Sequence, residues 1–185
     1  MIPVRMIAAL VLLVTAAPAL AHDGHGGGLT AGLAHPFGGA DHLLAMVAVG
    51  LFAAMRGGRA LWALPLAFVS AAGIGFLAGR FGPVLPMTEP MVLASVLVLG
   101  LIVGAALELR LAAGIALVAL FGGFHGQAHA AEAGSQSILA FAAGFMIASG
   151  VLHAAGLGFG RIAGTALARL AGAASALAGL ALALA

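Results

Sequence analysis

The chain has 185 residues, of which 64% are hydrophobic and 6% are charged, and its mean hydropathy is +1.23. Soluble domains carry roughly 25% charged residues, so the composition excludes a soluble globular protein and predicts an integral membrane protein. Seven Arg against five acidic residues, scattered along the chain, do not predict nucleic-acid binding. Because the sequence has no Cys, any bound metal would have nitrogen and oxygen ligands rather than thiolates.

Residues 1–21 have the pattern of a secretory signal peptide. Arg5 precedes a short apolar core at 6–14, and Ala19-Leu20-Ala21 forms a small-residue cleavage site. An uncleaved first helix is the alternative, but the core is too short for a complete span and Pro18 interrupts it. We expect cleavage after Ala21.

Residues 22–34 are expected to form a flexible periplasmic lead-in. His22 would carry the new amino terminus, and with His25 it offers nitrogen ligands for weak metal capture. A solvated segment without this role is the simpler interpretation, and we favour it.

From residue 35 onward, long apolar runs alternate with short polar breaks, which predicts a single transmembrane domain over 35–185. Lipid offers the backbone no hydrogen-bond partners, so such runs predict helices and an all-α membrane bundle. The predicted helices lie at residues 39–55 (or from Pro36), 61–79, 90–107, 111–126, 137–156 and 162–185.

The arginines predict the orientation of these six helices. With the mature N-terminus outside, four arginines fall on the cytoplasmic side and one in an outer loop, as the positive-inside rule requires. The inner set is Arg56, Arg59, Arg110 and Arg161, and the outer residue is Arg80. We therefore expect a protein of the bacterial inner membrane with both mature termini in the periplasm.

The first motif, His35-Pro36-Phe37-Gly38-Gly39-Ala40-Asp41-His42, stands at the head of the first predicted helix. Ionisable residues at membrane depth are costly and indicate a functional site by default. His35 and His42 would share a face if the helix began at Pro36, whereas Gly38-Gly39 would otherwise make a short re-entrant turn. Asp41 either binds a metal directly or fixes the tautomer of a neighbouring histidine.

The second motif, Phe124-His125-Gly126-Gln127-Ala128-His129-Ala130-Ala131-Glu132, lies at the outer end of the fourth helix. His125 and His129 are four residues apart and share a helix face, which Glu132 continues. Paired histidines at this spacing bind metal. One buried His would be explained by a hydrogen bond to a carbonyl. Four His with Asp41 and Glu132 at matching helix ends predict one divalent-metal site.

Three further elements offer candidate residues. Glu89, before the third helix, is either another ligand or an acid placed favourably at a helix N-terminus. His153 is expected to hydrogen-bond within the core, with an exit-side ligand as the alternative. Phe68 and Phe124 are candidates for lining or supporting the pathway.

The two motifs resemble the signatures of the HupE/UreJ family of nickel-associated bacterial membrane proteins. The first is similar to the family's His-x5-Asp-His pattern, and the second departs from its counterpart only at Ala130, where the family usually has Gly. The resemblance covers the whole chain and implies a nickel or cobalt permease associated with hydrogenase or urease. The positions that it implies as important are His35, Asp41, His42, Phe68, Glu89, His125, His129 and Glu132.

The expected function is uptake of Ni²⁺ or Co²⁺ from the periplasm, with the ion as substrate and no permanently bound cofactor. Intracellular nickel chaperones are the implied recipients, and small-residue helix faces permit an oligomer. Since neutral imidazole binds the metal, uptake should weaken below about pH 6 to 6.5. The chain is not expected to be an enzyme. The alternatives are a membrane-embedded metalloenzyme using Glu132 as acid or base, and a non-transporting metal-binding assembly partner.

Overall fold

A computed structural model describes residues 28–133 and 137–184. The predicted signal peptide and the candidate capture residues His22 and His25 lie outside these ranges. All regular structure in the described part is helical, which confirms the all-α prediction. The elements are α1 (Gly28–Ala34), a 3₁₀ turn (His35–Phe37), α2 (Ala40–Arg56), α3 (Ala60–Phe81), α4 (Thr88–Gly104), α5 (Leu111–Glu132) and α6 (Ile138–Leu184).

Several of these helices are long and apolar enough to cross a bilayer. By length and composition, α3, residues Leu111–Ala130 of α5, and α6 qualify, and the bent pair Gly28–Phe37 with Ala40–Arg56 would be a fourth. Helix α4 is apolar but has 17 residues, slightly fewer than a complete span needs. The membrane class is therefore supported, and the full count of six crossings stays a prediction.

Helix α6 is a pair of helices joined at a kink. Its 47 residues would extend about 70 Å, more than twice the roughly 30 Å hydrocarbon thickness. Gly164 interrupts it with φ 80° and ψ 171°, a backbone conformation that glycine adopts without a Cβ clash. The N-terminal segment, 138–163, is longer than the predicted 137–156. The glycines from Gly156 onward continue the helix because Gly156 packs directly on Val47 of α2.

The entry to α2 is bent, and here the structure differs from two sequence expectations. Residues 28–34, assigned to a flexible lead-in, form α1, whose Gly32 packs directly on the Phe141 backbone of α6. The 3₁₀ turn and the extended Gly39 (φ −114°, ψ 124°) then set α1 and α2 at 81°. His35 and His42 therefore do not share one helix face, and the re-entrant alternative describes this segment better.

Close approach of α3 and α5 holds the middle of the bundle together. A Cβ on Gly126 would collide with the Ala72 carbonyl oxygen, and one on Gly75 with the Gly123 carbonyl oxygen. Small residues allow such backbone contact and the dispersion energy that it brings. Helix α5 also continues through Glu132, six residues past its predicted end, so His129 and Glu132 are held on a helix.

Candidate metal site

Asp41 orients His42 at the start of α2. Its Oδ1 accepts a hydrogen bond from the His42 backbone N–H at 2.8 Å and lies 2.8 Å from His42 Nδ1. An ionised carboxylate only accepts, so the proton of a neutral His42 ring sits on Nδ1 and the lone pair is on Nε2. His42 Nε2 is buried and has no hydrogen-bond partner among the described residues. Of the two roles predicted for Asp41, this geometry favours the orienting one.

Ser95 on α4 orients His125 in the same way. The Ser95 hydroxyl donates to the Val92 carbonyl at 2.6 Å, so its oxygen is left to accept from His125 Nε2 at 2.9 Å. His125 then carries its proton on Nε2 and its lone pair on Nδ1. His125 Nδ1 is buried without a hydrogen-bond partner in the described part of the chain. An unprotonated, buried nitrogen without a hydrogen-bond partner is available to bind a cation.

His42, His125 and His129 form a buried three-imidazole group. The three residues are 8%, 0% and 1% exposed, and each offers a nitrogen within 4.8 Å of the other two. The His42 ring centroid lies 4.8 Å from that of His125 and 4.5 Å from that of His129. Nitrogen ligands about 2.1 Å from one ion lie roughly 3 to 3.5 Å apart, so small ring rotations would complete the coordination.

A second, outer group consists of His35, His129 and Glu132, whose ligand atoms also lie within 4.8 Å of one another. Glu132 Oε2 is 2.6 Å from His35 Nε2 and 3.6 Å from His129 Nδ1. Glu132 follows the apolar part of α5, Leu111–Ala130, and its side chain is about half exposed. His129 and His35 hold the pKa of the Glu132 carboxyl well below its usual range, so the group is an anion. His129 belongs to both groups.

A cavity of about 420 Å³ is lined by the whole outer group and by His42 and His129 of the buried group. Its lining comprises Ala31, Ala34, His35, Gly38, Gly39, Asp41, His42, Glu89, His129 and Glu132. The bent segment from α1 to the start of α2 supplies seven of these ten residues, and a Cβ on Gly39 would lie 2.6 Å from Asp41 Oδ1. Glu89 lies on the wall of this cavity but belongs to neither of the three-residue groups found among the described residues, so its predicted role as a ligand stays a prediction.

Phe68 and His153 extend the series of contacting rings beyond His125. The Phe68 ring centroid lies 5.2 Å from that of His125 and 5.0 Å from that of His153. Both nitrogens of His153 are buried without a hydrogen-bond partner among the described residues, which does not support the predicted core hydrogen bond. Phe124 lines a different cavity, of about 370 Å³, with Gly75 and Gln127.

The sequence analysis did not identify three residues that shape the site. Ser95 orients His125, while Phe141 and Phe145 of α6 lie 5.2 Å from His35 and 4.1 Å from His129 between ring centroids. A serine in an apolar run most often bonds its own helix, as Ser95 does to Val92. No spacing in the sequence relates these residues to histidines on other helices.

Comparison with known proteins agrees with the motifs. The model of the family described as HupE / UreJ protein matches residues 10–182. Protein HupE of Rhizobium leguminosarum bv. viciae is 41% identical over 180 residues, which cover 92% of this chain and 94% of that protein. No solved structure matches the chain significantly. The chain belongs to the HupE/UreJ family.

Proposed function

We propose that this protein is a permease that carries a divalent cation, Ni²⁺ or Co²⁺, from the periplasm to the cytoplasm. The family is associated with nickel and cobalt uptake for hydrogenase and urease. The observation that carries the proposal is the buried group of His42, His125 and His129, of which His42 and His129 line the cavity. Two of its nitrogens have their lone pairs fixed by Asp41 and Ser95.

The donor set supports a borderline transition metal rather than Mg²⁺ or Ca²⁺. Imidazole nitrogens suit Ni, Co, Zn and Cu, whereas Mg²⁺ and Ca²⁺ take oxygen ligands. The buried group consists of three imidazoles, and the outer group adds one carboxylate. Within this class of metals, the assignment to nickel or cobalt rests on the family.

Transport begins with capture at the outer group. The anionic Glu132 and the exposed Glu89 attract a hydrated cation to the cavity, where His35 and His129 replace part of its water. The ion then exchanges Glu132 and His35 for His42 and His125 while His129 stays bound. Such stepwise exchange meets the requirement that an ion bind well enough to enter and weakly enough to leave.

The direction of transport follows from where the arginines lie. Helix α2 runs from His42 to Arg56, and α5 runs from the residue after Arg110 to Glu132, so these arginines are at the end opposite the cavity. Under the positive-inside rule, the cavity end is periplasmic. The sequence has no phosphate-binding loop, so we assign the driving force to the ion gradient and to capture by intracellular nickel chaperones.

The test is metal flux into sealed proteoliposomes that contain the purified protein. Entry of Ni²⁺, Co²⁺ and Mg²⁺ is measured for the native protein, His42→Ala and His129→Ala. Both variants should lose at least about tenfold in Ni²⁺ flux, since even supporting residues of metal sites contribute 10–100-fold. Ser175→Ala is the control, because Ser175 is a buried polar residue that hydrogen-bonds only locally, to the Ala171 carbonyl.

Native flux in His129→Ala would refute the site. Tight Ni²⁺ binding in detergent without flux in vesicles would refute the permease and favour the metal-binding assembly partner. Stoichiometric iron with turnover of a substrate would favour the metalloenzyme.

A further inference from the structure

His153 is a buried polar residue that the proposed capture site does not use. It lies on the N-terminal segment of α6 and is 1% exposed, and neither ring nitrogen has a hydrogen-bond partner in the described ranges. Buried polar groups are satisfied in the great majority of cases, and each exception calls for an explanation. Since a neutral imidazole always has one free lone pair, His153 offers a nitrogen ligand in the interior of the bundle.

The position of His153 follows from the residues that share its face of α6. Phe141, Phe145, Ser149 and His153 recur every four residues and therefore lie on successive turns. Phe141 contacts the outer His35 and Phe145 contacts His129. His153 is eight residues beyond Phe145, which is about 12 Å along the helix. It therefore lies deeper than the three-imidazole group, toward the end of the bundle that carries the arginines.

Phe68 contacts both His153 and a member of the three-imidazole group. The Phe68 ring is fully buried and lies within 5.2 Å of both the His125 and His153 rings, between centroids. Its backbone is held against α5, because a Cβ on Gly122 would collide with the Phe68 carbonyl oxygen. The Phe68 side chain therefore neighbours any ion that passes between His125 and His153.

From this arrangement we infer that His153 is an inner metal-binding position, which receives the cation from His125 past the Phe68 side chain. The inference rests on the proposed function and adds a second metal-binding position to the transport pathway. A single imidazole with water as the other ligands binds a cation more weakly than three imidazoles. A weaker inner binding position suits release toward the cytoplasm, since conduction through several sites requires that the ion dissociate from the last one.

The first experiment separates binding from flux. Co²⁺ titration of the purified protein in detergent and Co²⁺ entry into proteoliposomes are compared for the native protein, His153→Ala and His153→Gln. Both variants should keep the tight binding class within about twofold and lose the weaker class, while flux falls at least about tenfold. Ser149→Ala, one turn away on the same face, should behave as the native protein, because the Ser149 hydroxyl bonds only the Phe145 carbonyl.

The outcomes distinguish this inference from the proposed function. If the native protein moves no Co²⁺ or Ni²⁺, the permease itself is refuted. Native flux in His153→Ala refutes the inner position and leaves the permease standing. A parallel loss of tight binding and flux in both His153 variants also refutes it, since His153 would then act by supporting the packing around the outer groups.

A second experiment uses the absence of Cys from the sequence. In His153→Cys, a bound Co²⁺ should produce a thiolate-to-metal charge-transfer absorption that saturates with the weaker binding class. Ser175→Cys is the matched control, because Ser175 is also buried but belongs to the C-terminal segment of α6. A charge-transfer band in His153→Cys and none in the control supports the inner position. No band in His153→Cys, or equal bands in both, overturns it.

Discussion

Ser95 on α4 and His125 on α5 form a hydrogen bond of 2.9 Å in which the histidine must be the donor. The Val92 carbonyl, 2.6 Å from the hydroxyl, takes the serine proton and leaves the oxygen as an acceptor. Helix α4 therefore contributes to the candidate metal site through the orientation of a histidine on another helix. Its hydroxyl decides which nitrogen of His125 is free to bind.

Ser95→Ala should weaken Ni²⁺ binding to the purified protein by about tenfold or more, because the His125 ring loses the contact that fixes its tautomer and orientation. Isothermal titration with Ni²⁺ in detergent measures the affinity. Ser149→Ala removes a comparably buried hydroxyl from α6 and should leave it unchanged. Native affinity in Ser95→Ala would show that packing alone positions His125.

Asp41→Asn tests the corresponding role of the carboxylate beside His42. The amide oxygen can still accept both hydrogen bonds that Asp41 Oδ1 accepts, but the variant loses the negative charge that stabilises the proton on His42 Nδ1 and makes Nε2 a stronger ligand. Ni²⁺ affinity should fall about 10–100-fold, with a matching loss of flux in proteoliposomes. Glu108→Gln is the control, since Glu108 lies between α4 and α5 at the opposite end from the cavity. Equal effects of the two changes would contradict a specific role for Asp41.

Gly126→Ala should destabilise the protein by about 1 to 3 kcal/mol or prevent folding, because its Cβ would collide with the Ala72 carbonyl oxygen. Gly123→Ala, three residues earlier on α5, places its Cβ in open space and should be neutral or slightly stabilising. Thermal unfolding in detergent compares the two. Similar melting temperatures for both variants would mean that α3 and α5 are not in backbone contact.

The stability contributed by Glu132 should depend on pH in a defined direction. Its contacts with His129 and His35 lower the pKa of the carboxyl from the usual 4.5. A lowered pKa means that the stabilisation is present above about pH 4.5 and is lost as the pH falls toward the lowered value. In metal-free protein, the melting-temperature difference between native and Glu132→Gln should therefore exist at neutral pH and shrink below about pH 4.5. A difference that grows on acidification would contradict this sign.

Hydropathy and motif spacing were sufficient to predict the all-helical architecture and most of the polar side chains that meet at the cavity. Apolar runs predicted the helices, and the four-residue spacing of His125 and His129 predicted their common face. Both signals are local, because a helix places residues four apart together whatever the rest of the chain does. The membrane class and the family are accordingly confirmed.

The contacts between helices could not be predicted in this way. The 81° bend before α2 depends on how α1 packs against α6, and the partner of Ser95 lies on another helix. His153 is a second example of a residue whose surroundings the sequence does not predict. A buried histidine in a helix usually finds a carbonyl, and only the three-dimensional arrangement shows that the described residues provide none.

The membership of His129 in both ligand groups has a consequence for occupancy. A neutral imidazole has one lone pair, so His129 cannot coordinate two ions at once. Under the proposed function, an ion held in one group therefore deprives the other group of His129, and the cavity would take up one ion at a time. When the purified protein is titrated with metal, the tight binding class should saturate at one equivalent per chain, however high the metal concentration rises.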